Sequence, residues 1–247
     1  MIKKGDYVTR KKYNHDILFK VIDVKNNIVI LKGVDLRLYA DSNYDDLVLA
    51  TISKKKDDLN TIRKLNNNDY FYIPGVIVHL DSDKDYLEKC IEYYRKQKIK
   101  FYGYIFNESE YKDYINKIIK KHNPNIIVIT GHDSYSKKYN KYRNSEYFIE
   151  TVREIRKNYK NIIVIAGACQ SDFINLIKAG STYASSPGKV NIHALDPAII
   201  ASYLALTKST ETINLIDILS KTKYGSDGIG GIKTFGTMLE CYPRKEI

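Results

Sequence analysis

Two hydrophobic periodicities divide this chain. Up to about residue 50, short apolar stretches at 5–9, 18–24, 27–31, 36–39 and 46–49 read as strands, separated by turn signals such as Asn26-Asn27 and Lys32-Gly33. Short strands at this spacing predict a small β-barrel of the SH3 or KOW type over 1–52. The next segment, 53–69 (SKKKDDLNTIRKLNNND), is dense in charged and amide side chains and reads as a polar linker.

From residue 70 to 247 the pattern becomes strand and helix in alternation. A β-rich run covers 73–80, and in 85–96 the residues Leu87, Cys90, Ile91 and Tyr94 fall on one helical face. A second strand is expected at 100–106, followed by a helix striped by Tyr111, Ile115, Ile118 and Ile119. The stretches 125–130 and 161–166 are nearly unbroken β-branched runs, with a helix between them carrying Phe148, Val152 and Ile155. Strands of that composition are buried on both faces, so the expected fold class is α/β, a doubly wound and mainly parallel sheet behind the small barrel. Ligands of such sheets bind beyond the carboxyl ends of the strands, which singles out 81–83, 131–136 and 167–171.

Charge and cysteine usage narrow the chemistry. Forty Lys and Arg against twenty-nine Asp and Glu give +11, which suits an anionic partner. The lysines are spread along the whole chain, however, and read as solvated surface, so nucleic acid is not the expected partner. Cys90, Cys169 and Cys241 are odd in number and lack metal-ligand spacing, which argues against a disulfide framework and against zinc. No run reaches the roughly 20 apolar residues of a membrane span, and the opening MIKKGDYVTRKKY lacks the apolar core of a secretory signal. A reduced cytoplasmic setting is expected.

Two segments carry matching chemistry. NIIVITGHDS (125–134) and NIIVIAGACQS (161–171) repeat one strand and one glycine, then present His132 and Cys169 respectively. Adjacent parallel strands would bring the two to one rim of the sheet, as nucleophile and proton partner. A helix beginning near Gln170 would aim its N-terminal N–H groups at the sulfur and lower its pKa. Backbone N–H groups around Gly131, Asp133, Ala168 and Cys169 are the expected oxyanion donors, the glycines allowing close approach. No metal or organic cofactor is required.

These residues resemble the caspase-like clan of cysteine peptidases. The clan's chain order places a His motif before a second strand ending in Ala-Cys, and Ala168-Cys169-Gln170 matches the centre of the caspase signature. The chain departs from that pattern where Gly131 precedes His132 and Asp133 follows it. A resemblance covering nearly the whole chain is to the YabG family of sporulation-specific proteases. It rests on GDYVTRKKYNHDILFKV, DLRLYADSNYDDLV, VHLDSD, ITGHDSYSK, AGACQS, ASSPGKVNIHALDP and GIGGI, in order. The resemblance implies a mother-cell enzyme of late sporulation, cytoplasmic or associated with the spore coat, that cleaves spore coat and related spore proteins beside basic residues. A basic P1 side chain would need an acid in the S1 pocket. Asp81 and Asp83 are the first candidates, Asp196 the second and Asp133 the third, with His193 as a residue shaping a subsite.

Other readings stand beside these. Cys90 is expected in the core and His79 packed within its strand, with His15 and His122 at the surface. The stretch 185–188 suits a substrate-binding loop, and 225–236 either cradles an extended peptide or forms a mobile loop. The rival class is a basic nucleic-acid-binding protein that uses the barrel over an inert α/β scaffold; a third is a cysteine hydrolase of small amides.

Overall fold

The computed structural model describes residues 1–51 and 67–244. The chain divides into two compact units, Met1–Leu65 and Asn66–Ile247. Most of the segment expected as linker, 53–66, lies outside the described residues; its end, Asn67–Asp69, is a 3₁₀ turn.

The first unit is an antiparallel sheet of β1 (Tyr7–Arg10), β2 (Phe19–Lys25), β3 (Ile28–Gly33), β4 (Tyr39–Asn43) and β5 (Leu47–Leu49), in the order β4-β3-β2-β1-β5. Alternation does the folding: Phe19, Val21, Val29 and Leu31 point inward with Val8 and Leu47, as a period of two requires for a sheet with one buried face. Asn26 turns the β2–β3 hairpin with φ 54°, a conformation its short amide side chain tolerates. The strand expected at 36–39 begins only at Tyr39, because the chain after Gly33 first makes a turn closed by the Gly33 N–H to Leu38 carbonyl bond.

The second unit contains β6 (Phe71–Ile73), β7 (Ile77–Asp81), α1 (Lys84–Lys96), β8 (Phe101–Ile105), α2 (Tyr111–His122), β9 (Ile126–Ile129), β10 (Tyr135–Ser136), β11 (Lys141–Tyr142), α3 (Ser145–Asn158), β12 (Ile163–Ala166), α4 (Phe173–Ala179) and β13 (Tyr183–Ser185). It continues with α5 (Asp196–Leu206), α6 (Leu215–Ser220), α7 (Gly225–Gly228), β14 (Ile229–Gly231) and β15 (Leu239–Cys241). The run expected as one strand over 73–80 is two: Pro74, which has no N–H to donate, separates β6, paired with β15, from β7 in the main sheet.

That main sheet has the order β14-β13-β12-β9-β7-β8; all neighbours are parallel except β14, which runs antiparallel to β13. Both faces are covered. Side chains of α1, α5 and α6 pack on one face, Cys90, Tyr94, Ile200, Leu204 and Ile218 among them. Those of α2, α3 and α4 pack on the other, including Ile115, Ile119, Phe148, Val152 and Leu176. Residues of β7 and β9 alternate between the two clusters, Ile77 with Val78 and Ile126 with Ile127, which is why these strands read as unbroken apolar runs. Strand order reverses at β7, since β8 lies on one side of it and β9 on the other. The crevice of an open α/β sheet forms at such a reversal, beyond the carboxyl ends of the strands.

Candidate active site

The register of the sheet sets the site. β12 pairs in parallel with β9, Ala166 opposite Ile129, and His132 and Cys169 each lie three residues past those paired positions. Two equal overhangs from adjacent parallel strands leave the same edge of the sheet. Beside them, β7 ends at Asp81, and Asp83 caps α1, so the loops after β7 and β9 flank the reversal point.

His132 is half-exposed and held on three sides. Its Nε2 lies 3.1 Å from Asp83 Oδ2, its backbone N–H donates to Glu108 Oε1 at 2.8 Å, and its carbonyl accepts from Asn144 Nδ2 at 2.8 Å. The Tyr86 ring stands 5.9 Å away, centroid to centroid. Gly131 has to be glycine for this packing: a Cβ there would come within 2.6 Å of Glu108 Oε1 and 2.8 Å of Ser82 Oγ. Glu108 joins the loops by accepting from both Ser82 Oγ and the His132 N–H.

Cys169 is half-buried. Its Sγ accepts the Ile192 N–H at 3.4 Å, faces the Ile192 carbonyl oxygen as donor at 3.9 Å, and makes no hydrogen bond to His132. The helix expected to begin near Gln170 starts at Phe173, with Asp172 as its cap, because Gln170 takes a left-handed φ of 55° that an α-helix excludes. Its N-terminus is therefore not the group at the sulfur; the Ile192 N–H is. Gly167 precedes the turn at φ 107°, a backbone state that favours glycine.

The two loops are bolted together by Asp133. Oδ1 accepts the Ser134 and Asn144 N–H groups, each at 2.8 Å, while Oδ2 accepts the Ser171 hydroxyl at 2.9 Å and that of Ser145 by a short bond. Ser171 Oγ in turn accepts the Ala168 N–H at 2.8 Å. The Ala168 N–H, expected as an oxyanion donor, is thus committed to Ser171. The N–H groups of Cys169 and Asp133 donate to no protein acceptor among the described residues.

The four carboxylates expected near S1 all have internal partners. Asp81 is buried and accepts from Thr130 Oγ1 at 2.6 Å and the Asp83 N–H at 2.9 Å; burial, opposed by these two bonds, raises its pKa. Asp83 accepts the Asp85 and Tyr86 N–H groups on Oδ1 and meets His132 on Oδ2; the Tyr86 N–H first, then His132 and the Asp85 N–H, hold it below the usual carboxylate range against some desolvation. Asp196 is fully buried and accepts the N–H groups of His193 and Lys223 at 3.2 and 2.9 Å. Asp133 is the loop bolt. His193, exposed in the turn before α5, accepts the Leu195 N–H on Nδ1 and makes no hydrogen bond to His132 or Cys169.

Behind the His132 loop lies a buried polar chain. Thr130 donates to Asp81, so with its single proton engaged His79 Nε2 must be the donor across the 2.7 Å contact to Thr130 Oγ1, and His79 Nδ1 the acceptor of the Tyr94 hydroxyl at 2.9 Å. Burial pushes His79 down to about 3, so it is neutral at pH 7. Cys90 is buried as expected, donating toward the Ala194 carbonyl, and its thiol is pushed up to about 12, chiefly by desolvation.

The stretch 185–195 folds over the cysteine loop. Val190 carbonyl accepts the Gln170 N–H, Ser186 Oγ donates to the same carbonyl, and Lys189 Nζ sits 4.2 Å from the centre of the Tyr135 ring. The glycine-rich segment begins as a short helix and becomes β14, whose Gly231 lies opposite Tyr183; those residues are part of the sheet. Sequence reasoning did not single out Glu108, Ser145, Asn144, Ile192 or the bond-making role of Ser171. Glu108 sits in the capping turn Asn107–Glu110 just past β8, a position at the right rim; the others are recognisable only once loops distant in sequence are brought together.

Among the described residues no helix is long and apolar enough to cross a membrane. The family model described as YabG peptidase U57 matches residues 3–66 and 51–243. The sporulation-specific protease YabG of Bacillus subtilis (strain 168) is 38% identical over 283 aligned residues, covering 98% of each chain. With both matches extending over nearly its full length, the chain belongs to the YabG peptidase family.

Proposed function

We propose that this sporulation protease is a cysteine endopeptidase in which Cys169 is the nucleophile and His132 the proton donor, and that it processes spore coat and related spore proteins. One observation carries the reading: the β9–β12 register brings a thiol and an imidazole to one rim, each three residues past a paired position. In the reaction, the Cys169 thiolate attacks the scissile carbonyl carbon, forming an S–C bond. The tetrahedral oxyanion is met by the N–H groups of Cys169 and Asp133, which have no protein acceptor among the described residues. Collapse breaks the C–N bond, and His132 gives its proton to the departing amine. Water, losing a proton to His132, then releases the acid and restores the thiol. The Ile192 N–H points at Sγ from 3.4 Å and fixes the position of the sulfur.

A caspase-like fold is supported by the parallel sheet with helices on both faces and by the His-before-Cys order on adjacent strands. The N-terminal sheet, read as an SH3-like barrel, is proposed to dock protein substrates, and the mother-cell cytoplasm is the proposed setting. Cleavage next to basic residues is the part of the reading with the least support from the site. Asp81, Asp133 and Asp196 are buried behind internal donors, and a basic side chain would have to share Asp83 with His132.

The test is digestion of an Arg- and Lys-containing spore-coat protein by the wild type and by Cys169→Ala, with and without iodoacetamide. Cleavage by the wild type alone, stopped by alkylation, is expected. Equal cleavage by both variants would sink the assignment.

A further inference from the structure

We infer that Asp83 is the positioning residue of His132, making a third member of the site whose carboxylate holds the imidazole by Nε2 and leaves Nδ1 for the chemistry. The inference deepens the peptidase reading and rests on it. Asp83 is held in place from its other side. As the cap of α1 it takes the Asp85 and Tyr86 N–H groups on Oδ1, at 2.9 and 3.1 Å, and that fixes where Oδ2 points. Its own N–H donates to Asp81, whose other oxygen is bound by Thr130, and Thr130 by His79. The carboxylate that meets His132 is therefore the exposed end of a hydrogen-bonded chain anchored in the core on Tyr94.

Direction follows from donor and acceptor roles. An ionised Asp83 can only accept, so Nε2 carries the proton and donates to Oδ2. With Nε2 so occupied, Nδ1 is the nitrogen left to exchange a proton with the leaving amine and with water. The ring's orientation is set by the facing carboxylate before substrate arrives. The titratable and charged groups around His132 are Asp83 and Tyr86 from the β7–α1 region, Asp81 behind them, Glu108 on its backbone N–H after β8, and Asp133 next in its own loop. Of these, Asp83 is the one whose carboxylate meets the ring nitrogen.

The alternative for Asp83, an acid in the S1 pocket, makes a different prediction and can be separated from this one. The experiment uses full-length Asp83→Ser and Asp83→Asn. Both keep a helix-capping oxygen, so α1 stays capped; serine cannot reach His132 and asparagine brings no charge. The substrates are peptides that differ only at P1, with Arg, Lys or Leu. A positioning residue predicts a fall in kcat on the order of 10- to 100-fold, the same for all three peptides, with KM little changed. A second readout needs no activity: the His132 ring Hε2 resonance, slowed in exchange by the Asp83 bond in the wild type, is expected to be lost in Asp83→Ser. Loss confined to KM for Arg and Lys peptides would overturn the inference in favour of an S1 acid, and unchanged kcat with an unchanged resonance would overturn it outright. If Cys169→Ala cleaves as well as the wild type, the peptidase reading itself fails. The resonance would then show whether the pairing exists without a reaction to serve, which also ends the positioning role.

Discussion

The Ser171 hydroxyl donates to the Asp133 carboxylate at 2.9 Å, and that bond, beside the Tyr135 N–H donating to Gln170 Oε1 at 3.2 Å, ties the loop bearing Cys169 to the loop bearing His132. Because Ser171 also accepts the Ala168 N–H and Asp133 also accepts from Ser145, the start of α3 is held to both loops through one buried carboxylate. The site is thus positioned by a neighbour of each reactive residue rather than by a bond between the two.

Removing that carboxylate should loosen the site and the fold together. Asp133→Ala leaves the Ser134 and Asn144 N–H groups and two seryl hydroxyls without their acceptor, and a loss of about 2–4 kcal/mol is expected. Asp133→Asn should be milder, since the amide oxygen still accepts the two N–H groups while its NH₂ faces the Ser145 and Ser171 hydroxyls, which can turn to accept. Urea denaturation of the three proteins measures this; an alanine variant as stable as the wild type would show that the loops hold without the bolt.

Gly131→Ala probes the other side of the histidine loop. The added Cβ would push on Glu108 Oε1 and Ser82 Oγ, displacing the acceptor of the His132 N–H. Lower kcat is expected, on the order of 10-fold or more, with stability falling by only about 1–2 kcal/mol. Wild-type turnover would mean that Glu108 can give way without moving His132.

Acid should destabilise this protein through His79. In the unfolded chain the imidazole titrates near 6.5, whereas burial lowers it to about 3 in the fold. Between those values the unfolded state binds the extra proton, so this contribution is fully present above about pH 6.5 and is lost progressively as pH falls toward 3. Its size is on the order of 5 kcal/mol, by the free-energy equivalent of a pKa unit. Asp81, with its carboxyl raised, works in the opposite sense as pH falls through its range. A folded His79→Gln variant should therefore show a flatter stability curve from pH 6.5 to 4 than the wild type, and parallel curves would assign the acid sensitivity elsewhere.

Thiol reactivity should sort the cysteines by environment. Cys90, buried with its thiol raised to about 12, is expected to stay unmodified by iodoacetamide at pH 8 in the folded protein and to react in urea, because the thiolate is the reactive form. Peptide mapping by mass spectrometry reads this directly; alkylation of native Cys90 at the rate seen in urea would show that α1 opens.

Much of the architecture was legible from residue pattern. Unbroken apolar runs marked β9 and β12 as strands buried on both faces, and the stripe through Tyr111, Ile115, Ile118 and Ile119 marked α2, because the period of burial is written into the order of side chains. The repeated strand-glycine motif also brought out His132 and Cys169. What pattern reading missed has a local cause in each case. Pro74 split one apolar run into two strands, and the left-handed Gln170 delayed a helix by three residues, from 170 to 173.

By itself, then, the sequence determined the main strands and helices up to β12 and which two side chains project past matching strands, since periodicity and motif are properties of neighbouring residues. Only the tertiary structure decided what the carboxylates do. Asp83 meets His132 from 49 residues away, and Asp133 meets Ser171 from 38. Hydrogen-bond partners depend on where loops of different strands converge, and that convergence is set by strand order and register, which no local pattern contains.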